Sequence, residues 1–436
     1  MIWSKFNYLL NSEKFGYFVY NSTTNSFFKI NEGLFNICNS VKINNSNIKL
    51  IDEEIQKEFI NSKIIVSKYE EDSYYTKTSY LKKLNSFTQT SLGLVIAPTY
   101  TCNFACPYCY EHELPNINMG DDVEDNIIKF IKSFTNVKSV ALCWHGGEPL
   151  IRFNNIKNIL HKIKSEKNIN LTKHHLVTNG YLFDQEKCDF FKEHKLNSVQ
   201  ITIDGLPETH NISRKHKSGM PTYDIIIKNI DYMLNTFPEC RANIRVNIHD
   251  SNKEDFPILK KELENRWEGK NINIHYRYVA NHGICQVACL ENKNKLQFMI
   301  DLYKKHGLKD IEFYPKTELG GCTADYNNSY VIGPKGEMYK CWVDLGKEER
   351  IIGNISDNDL NLSLISEYVV GTDKFSDEKC KNCFLFPVCD GGCGTYRLEH
   401  KLFGKEYNVC PINPEDTKIL LEMFYEQHIE KQKINP

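Results

Sequence analysis

The sequence lacks a long hydrophobic run, and it also lacks an excess of charge of either sign. No uninterrupted apolar stretch approaches the ~18 residues that a membrane-spanning helix needs, so we expect no membrane segment. The net charge of the 436 residues is -2, which leaves no overall positive field for nucleic acid. The first residues, MIWSKFNYLL, lack the charged and then apolar layout of a signal peptide. We therefore expect a cytoplasmic protein that binds neither nucleic acid nor membrane.

Cysteine, in contrast, is abundant, with 16 residues in the chain. A reducing cytosol disfavours a framework of disulfides, so metal or redox chemistry is the better explanation for this number. Cys38 is the one cysteine before Cys102, which places the chemistry after the first ~90 residues. The length predicts roughly two to three domains, and the hydrophobic fraction of 41% is sufficient for a large core.

Three cysteines, Cys102, Cys106 and Cys109, stand in a C-x3-C-x2-C spacing. A cubane iron–sulfur cluster has four irons, and each normally binds one thiolate. Three thiolates on one loop therefore leave the fourth iron open to bind and activate a small molecule. A zinc site is the alternative, although zinc prefers four ligands and this motif offers three.

From about residue 91 the pattern alternates between short apolar strands and helices. The predicted strands are Leu92–Ala97, Val140–Trp144, Leu176–Val177, Val199–Ile203, Ile244–Ile248 and Ile272–Val279. Helical periods follow them at Val123–Phe134, Ile156–Ile163, Glu186–Glu193, Tyr223–Leu234, Phe256–Arg266 and Lys295–His306. About six βα units imply a parallel sheet or an incomplete (β/α)6 barrel of the α/β class, with its chemistry at the carboxyl ends of the strands. The cysteine loop follows the first of these strands.

Short polar motifs follow the next three strands. In His145-Gly146-Gly147-Glu148-Pro149, the glycines let backbone approach a ligand closely, and the glutamate can accept hydrogen bonds from an ammonium group. We expect His145 itself to be a satisfied barrel residue. Thr178-Asn179-Gly180 ends the third strand and Thr202-Ile203-Asp204-Gly205 ends the fourth. An aspartate at a strand end either binds a ribose hydroxyl or caps a turn.

These motifs closely resemble the radical SAM superfamily, over residues ~91–310. The residues that carry the resemblance are the cysteine triad, Gly146-Gly147-Glu148-Pro149 and Asp204. In that family the open iron binds S-adenosylmethionine, and one electron cleaves it to methionine and a 5′-deoxyadenosyl radical that abstracts hydrogen. The resemblance implies that Glu148 holds the methionine ammonium and that Gly146 and Gly147 also belong to the cofactor-binding residues. It also implies that Thr202 and Asp204 lie near the ribose, Arg214 near the carboxylate and Tyr108 by the adenine.

A second cysteine-rich region follows residue ~320, in short segments broken by glycine and proline. It reads Cys322, then Gly336-x4-Cys341, then Cys380-x2-Cys383-x5-Cys389-x3-Cys393, and finally Cys410. Paired thiolates also make zinc ribbons, which is the alternative. The whole arrangement looks like the SPASM extension of radical SAM enzymes, which holds two auxiliary 4Fe–4S clusters. The resemblance thus implies three 4Fe–4S clusters in all.

By resemblance, Cys380, Cys383, Cys389 and Cys410 ligate an outer cluster, and Cys322, Cys341 and Cys393 ligate an inner one. Two full clusters need eight thiolates, and the motif supplies seven. Relatives with full ligation carry a further cysteine just before the first, whereas Phe313–Gly321 contains none. Two explanations remain open: an open iron that binds a substrate thiolate, or an eighth ligand from Cys285 or Cys289.

The segment before the barrel suggests a recognition domain. Gly16–Tyr20 and Ser26–Ile30 read as a β-hairpin, and a helical pattern runs through Leu34, Ile37 and Val41. Tyr69 to Thr88 reads as a charged and aromatic linker. The hairpin and helix resemble the small winged-helix domain that captures precursor leader peptides by adding a strand to a sheet edge.

We therefore expect a maturase of ribosomally made peptides that abstracts hydrogen and installs a thioether or carbon–carbon cross-link. The expected domains are 1–88 for recognition, 89–312 for the barrel and 313–436 for the auxiliary clusters. The partners would be a precursor peptide with its leader, and a flavodoxin or ferredoxin-type reductant. Two alternatives are an anaerobic sulfatase maturase that forms formylglycine and a multi-cluster electron-transfer or peptide-binding protein without radical chemistry.

Overall fold

The computed structural model describes residues 1–111, 113–280, 287–290, 292–316, 321–357, 359–406 and 408–434. The fold is of mixed α and β type, as the sequence pattern predicts. It divides into two compact units. The first consists of Met1–Phe87, Gly307–Tyr326 and Ser366–Pro436, and the second consists of Thr88–His306 and Asn327–Ile365. Within the described residues, no helix combines the length and the apolar character that crossing a bilayer requires.

The secondary-structure elements are numbered along the chain. The strands are β1 (Ile2–Trp3), β2 (Asn7–Ser12), β3 (Gly16–Asn21), β4 (Ser26–Ile30), β5 (Ile65–Val66), β6 (Ser91–Ile96), β7 (Ser139–Trp144), β8 (Leu171–Thr178), β9 (Ser198–Thr202), β10 (Arg241–Ile248), β11 (Ile272–Tyr278), β12 (Ser329–Ile332), β13 (Glu337–Tyr339) and β14 (Gly353–Asn354). The helices are α1 (Glu32–Ile43), α2 (Glu53–Asn61), α3 (Lys68–Ser86), α4 (Asp121–Ser133), α5 (Phe153–Ser165), α6 (Gln185–Glu193), α7 (Pro207–Ser213), α8 (Tyr223–Thr236), α9 (Asp255–Arg266), α10 (Asn292–Lys304), α11 (Leu362–Ser366), α12 (Glu378–Lys381), α13 (Gly394–Phe403) and α14 (Thr417–Ile434).

A single large sheet forms the centre of the second unit, in the order β11-β10-β9-β8-β7-β6-β12-β13-β14. Strands β6 to β11 lie side by side in chain order, and every neighbouring pair among them is parallel. Helices α4, α5, α6, α8 and α9 connect them in turn. The predicted βα alternation is therefore confirmed. Because the strands are parallel, their carboxyl ends meet at one edge of the sheet.

The composition of the elements explains this arrangement. Strand β6 reads SLGLVI, with four of its six residues buried, including three in succession at its carboxyl end, as expected for a parallel strand covered on both faces. Helix α4 buries Val123, Ile127 and Ile131 along one side, the spacing at which a helix presents one apolar face. Its first turn carries Asp121 and Asp122, which suit the positive end of the helix dipole.

Two features of the sheet depart from the sequence prediction. Strand β8 starts at Leu171, five residues before the predicted Leu176, because Lys173, His174 and His175 hide a strand inside a polar run. Strand β12 pairs in parallel with β6, on the side away from β7. There the ideal Cβ of Gly93 would stand 2.6 Å from Ser329 Oγ, so the close approach of β12 depends on a glycine.

The first unit begins with an antiparallel sheet in the order β2-β3-β4. The predicted hairpin is confirmed, with β3 at Gly16–Asn21 and β4 at Ser26–Ile30. The following helix, α1, starts where the Asn31 side chain accepts a hydrogen bond from the Leu34 N–H at 2.8 Å. Val19, Cys38, Val41, Phe59 and Ile64 share one buried core between this sheet, α1 and α2.

The predicted linker from Tyr69 to Thr88 is wrong, because helix α3 spans Lys68–Ser86. Ser67 and Glu70 form a reciprocal capping box at its start, a signal that identifies a helix. The helix is hard to recognise because large apolar side chains on it, including Leu81 and Leu84, are exposed. Its Tyr75 packs edge-on against Phe386 at a ring-centroid distance of 4.9 Å.

Candidate functional site

The cysteine loop leaves the carboxyl end of β6, where the sequence places it. Cys106 is buried, Cys102 and Cys109 are half-buried, and all three are free thiols. The loop is fastened to the segment after α7, since the Ala105 N–H donates to the Lys215 carbonyl at 2.8 Å and the Lys217 N–H donates to the Asn103 carbonyl at 2.8 Å. The thiols therefore stand on an anchored loop at the edge where the strand ends meet.

Burial raises the pKa of the Cys102 and Cys109 thiols to about 12, and it raises the pKa of the Cys106 thiol as well. Bound iron stabilises the thiolate form that burial disfavours. In the described part of the chain, no three His, Cys, Asp or Glu side chains converge closely enough to hold a single metal ion. The thiols nevertheless lie near enough to act on one another, since Cys106 contributes to the raised pKa of both Cys102 and Cys109, as expected for ligands of one cluster.

Gly146 and Gly147 form the turn after β7, and this turn lies directly against the start of the cysteine loop. Gly146 has a φ of +101°, and its ideal Cβ would be 2.5 Å from the Thr99 carbonyl oxygen. At Gly147 the ideal Cβ would be 2.5 Å from the carbonyl oxygens of Tyr100 and Thr101. A side chain at either position would push away the backbone that leads to Cys102.

Glu148 follows the two glycines and is completely buried. Its carboxylate accepts hydrogen bonds from the Leu150 N–H at 3.0 Å, the Asn179 N–H at 2.8 Å and the Thr178 hydroxyl at 2.8 Å. Burial raises the pKa of the Glu148 carboxyl, and these hydrogen bonds and the charge of Arg214 counteract the rise. Donors from the segment after β7 and from the end of β8 thus hold the carboxylate at the strand ends, where the resemblance assigns it an ammonium ligand.

Tyr108, Asp204 and Arg214 form one hydrogen-bonded group. The Tyr108 hydroxyl donates to Asp204 Oδ2, and Arg214 Nη1 donates to the Tyr108 oxygen at 2.7 Å. Arg214 Nη1 also lies 3.5 Å from Asp204 Oδ2, and the Asn247 N–H donates to Asp204 Oδ1 at 2.8 Å. Thr202 is the last residue of β9, two positions before Asp204, and it is buried. The structure therefore brings these predicted residues to one place.

Arg214 retains one unused donor. Its Nε is buried and has no hydrogen-bond partner within the described residues. The charge of Arg214 also acts on Glu148 and on Cys106, where it opposes the effect of burial on the pKa of each group. A buried cationic donor between a thiol and a carboxylate fits a small ligand that carries a carboxylate of its own.

Some residues of this region were missed or misjudged at the level of sequence. Asn247, at the end of β10, holds Asp204 through its backbone and donates its side chain to the Tyr108 oxygen at 3.3 Å. The prediction that His145 is a satisfied residue holds for one of its two ring nitrogens, since Nε2 lies 3.4 Å from the Tyr110 hydroxyl oxygen. The Nδ1 atom of His145 has no hydrogen-bond partner among the described residues and lies 3.7 Å from the equally unpartnered Glu111 Oε1.

Burial acts against a charged pair of Glu111 and His145. Burial raises the pKa of the Glu111 carboxyl to about 8, and burial lowers the pKa of the His145 imidazole to about 4. Burial thus favours the neutral form of each group, and Glu111 Oε1 and His145 Nδ1 are 3.7 Å apart. The sequence does not predict this contact, because Glu111 follows β6 and His145 follows β7, and only the folded sheet brings the two residues together.

The later cysteines lie in both units. Cys322, Cys380, Cys383, Cys389, Cys393 and Cys410 belong to the first unit, and Cys341 belongs to the second. Within the first unit, burial and the neighbouring Cys410 raise the pKa of the Cys383 thiol. Burial and nearby charges, including that of Cys380, raise the pKa of the Cys389 thiol. These couplings fit the expected outer set, while burial and the nearby Cys393 act on Cys322. Cys285 lies outside the described residues, and Cys289 is half-buried.

Comparison with known proteins identifies the domain that holds the first cysteine loop. Residues 96–263 match the Radical SAM superfamily. The chain is 28% identical over 351 residues to a serine-type anaerobic sulfatase-maturating enzyme of Bacteroides thetaiotaomicron, covering 70% of this chain and 82% of that protein.

Two solved structures share the fold. One is anSMEcpe with bound AdoMet and the Kp18Cys peptide, with 21% identity and a TM-score of 0.58, covering 78% of this chain and 98% of that one. The other is Streptococcus suis SuiB bound to the precursor peptide SuiA, with 17% identity and a TM-score of 0.53, covering 94% of this chain and 100% of that one.

Proposed function

Since the chain contains a radical SAM domain, we propose that it is a maturase that cross-links a ribosomally made precursor peptide. The observation that carries the proposal is the set of strand-end groups beside the cysteine loop: the buried Glu148 carboxylate and the Tyr108, Asp204 and Arg214 group. The cross-link would be a thioether or a carbon–carbon bond. The radical SAM domain would abstract a hydrogen atom from a residue of the peptide.

The residues present fit S-adenosylmethionine and a 4Fe–4S cluster. Cys102, Cys106 and Cys109 would hold three irons, and Glu148 would hold the methionine ammonium beside Gly146 and Gly147. The unpartnered Nε of Arg214 is a suitable donor for the methionine carboxylate, and Thr202, Asp204 and Tyr108 would face the ribose and adenine. When bound, the cofactors supply reductive cleavage to a 5′-deoxyadenosyl radical.

The N-terminal segment supports a peptide substrate. Strand β4 is an edge of the β2-β3-β4 sheet, so its outer backbone groups have no strand partner among the described residues. A leader peptide can pair with such an edge as an added strand. We propose recognition by residues 1–88, catalysis by 89–312 and auxiliary clusters in 313–436. A flavodoxin or ferredoxin-type protein of the cytoplasm would supply the electrons.

The auxiliary region would hold two further 4Fe–4S clusters. Cys380, Cys383, Cys389 and Cys410 are proposed for the outer one, and Cys322, Cys341 and Cys393 for the inner one. The inner cluster would then keep an open iron that binds a cysteine thiolate of the peptide, which favours a thioether product. Iron counts and EPR of Cys285→Ala and Cys289→Ala test this point. Loss of a cluster in either variant would show that the eighth ligand belongs to the chain.

A second candidate is an anaerobic sulfatase maturase, which converts a cysteine or serine into formylglycine. The identity of 28% across 82% of the Bacteroides enzyme favours it. The fold shared with SuiB extends over 94% of this chain, whereas the fold shared with anSMEcpe leaves more than a fifth of it unmatched. This difference in coverage is our reason for placing the cross-linking maturase first.

Anaerobic incubation of the reconstituted protein with S-adenosylmethionine and dithionite is the first test. We expect 5′-deoxyadenosine in wild type and none after Cys106→Ala, and its absence from wild type would overturn the proposal. The second test adds a short cysteine-rich or aromatic-rich peptide encoded beside the gene. Loss of two hydrogens without a product that reacts with a hydrazide indicates a cross-link. An aldehyde captured by the hydrazide indicates formylglycine instead.

A further inference from the structure

Arg397 contacts the sulfur of a cysteine in the proposed outer set. This residue lies on α13, which begins directly after Cys393. Its Nη2 donates to Cys380 Sγ at 3.0 Å, and its Nη1 donates to Asp377 Oδ2 at 2.5 Å. Its Nε and Nη2 also donate to the Gly391 carbonyl at 2.9 and 2.8 Å. The Arg397 side chain is 11% exposed, so the guanidinium is held on three sides with little access to solvent.

Asp377 fixes both partners of this contact. Its carboxylate accepts the Nη1 donor of Arg397, and it also accepts hydrogen bonds from the Lys379 N–H at 2.8 Å and the Cys380 N–H at 3.4 Å at the start of α12. The Asp377 Oδ2 atom lies 3.6 Å from Cys380 Sγ. One carboxylate therefore positions the guanidinium and the cysteine against each other, and it partly neutralises the guanidinium charge.

A second buried cation nearby makes a different contact. Lys374 donates to the carbonyl oxygens of Phe386 at 2.7 Å and of Cys389 at 2.5 Å, so it supports the backbone of the loop. Arg397, in contrast, donates to a sulfur atom, Cys380 Sγ. A hydrogen bond to a ligand sulfur stabilises the more negative, reduced form of a cluster more than the oxidised form.

We propose that Arg397 is a positioning residue that donates to the Cys380 sulfur and raises the reduction potential of the outer cluster. The inference rests on the proposed function, because it needs a cluster on Cys380, Cys383, Cys389 and Cys410. Asp377 acts in the opposite direction, since its negative charge weakens the effect of the guanidinium on the sulfur. The pair would keep the outer cluster reducible by a low-potential electron carrier.

The test is a redox titration followed by EPR on the full chain, reconstituted anaerobically with Cys102, Cys106 and Cys109 replaced by alanine. The signal lost in a further Cys380→Ala variant identifies the outer cluster. We expect Arg397→Gln to shift its midpoint potential to a more negative value, and Arg397→Lys to restore part of the shift. Asp377→Asn keeps an oxygen that can cap α12, and we expect it to shift the potential to a more positive value.

Lys401→Gln is the matched control, because Lys401 is a half-exposed cation one helical turn further along α13 and pairs with Glu367. The midpoint potential of the outer cluster in Lys401→Gln should equal that in wild type. An unchanged potential in Arg397→Gln with full iron content, or shifts of the same sign in Arg397→Gln and Asp377→Asn, would overturn the inference. If Arg397→Gln loses the cluster, the Asp377→Asn variant provides the test. A shift of its potential to a more positive value supports the inference, and a shift to a more negative value or no shift overturns it. If Cys380→Ala loses neither iron nor a signal, the proposed cluster assignment fails instead.

Discussion

The Thr178 hydroxyl donates a hydrogen bond of 2.8 Å to the Glu148 carboxylate, so a residue at the end of β8 holds the acidic group that follows β7. The two residues are 30 positions apart in the sequence, and both are buried. The neighbouring Asn179 N–H donates to the same carboxylate at 2.8 Å. Glu148 is thus fixed in place by the fold before any ligand binds, as a group that recognises a cationic ligand needs to be.

Glu148→Gln should weaken the binding of S-adenosylmethionine without unfolding the protein. The substitution removes the negative charge that would pair with the ammonium group, and it places an amide beside the donors Thr178 and Asn179. A charge-assisted hydrogen bond contributes about 1.5–3 kcal/mol, so we expect affinity to fall about 10-fold to 100-fold by calorimetry. Glu166→Gln, at a surface ion pair with Lys132, should leave affinity unchanged. Equal affinity in the Glu148 variant would remove that residue from the proposed site.

Gly146→Ala should disrupt the cysteine loop far more than alanine at Gly269, another glycine with a positive φ. The new Cβ would stand 2.5 Å from the Thr99 carbonyl oxygen, whereas Gly269, with a φ of +72°, has nothing within 4 Å of its ideal Cβ. We expect Gly269→Ala to cost about 1 kcal/mol in the free energy of unfolding, and Gly146→Ala to cost more and to lower the iron content after reconstitution. Similar thermal midpoints and iron contents in both variants would contradict the close contact.

Tyr108→Phe should lower the stability of the barrel, because Arg214 and Asp204 lose the hydroxyl that joins them. Leaving a buried charged group with one hydrogen bond fewer costs about 1–3 kcal/mol. Urea denaturation monitored by far-UV circular dichroism measures this cost. Tyr69→Phe changes a tyrosine that is 80% exposed and should have no effect. If the two variants unfold at the same urea concentration, the network contributes nothing to stability.

His174 should make the protein less stable as the pH falls from about 6.5 to about 4. The Trp144 indole N–H donates to His174 Nε2 at 2.9 Å, and His174 Nδ1 lies 3.1 Å from the His194 carbonyl oxygen, so the Nδ1-protonated neutral ring satisfies both contacts. Burial lowers the pKa of His174 from 6.5 to about 4. The unfolded chain therefore binds a proton that the folded chain excludes in this interval, at a cost of up to about 3 kcal/mol.

A comparison of histidine variants isolates this effect. His174→Gln removes the titrating group, so its urea midpoint should depend less on pH between 4 and 6.5 than that of wild type. His161→Gln removes an exposed histidine from α5 and should keep the wild-type dependence. A dependence that is the same in all three proteins would mean that His174 does not exclude the proton.

Much of the fold follows from local patterns in the sequence. Strands such as Val140–Trp144 and helices such as Val123–Phe134 have apolar residues at the spacing of a covered strand or a one-sided helix, and both were located within a residue or two. The exceptions have physical causes. Helix α3 exposes apolar side chains, which contradicts the pattern of a surface helix, and β8 runs through a polar segment because Trp144 satisfies His174 inside the core.

The sequence by itself determined the thiols and their spacing, the order of strands and helices, and the placing of polar motifs after β7, β8 and β9. These features depend on neighbouring residues. The tertiary structure alone decided that Thr178 holds Glu148, that Asn247 holds Asp204, and that Arg397 reaches the Cys380 sulfur. Each of those contacts joins residues 17 to 43 positions apart, and their geometry exists only after strands, helices and loops have packed against one another.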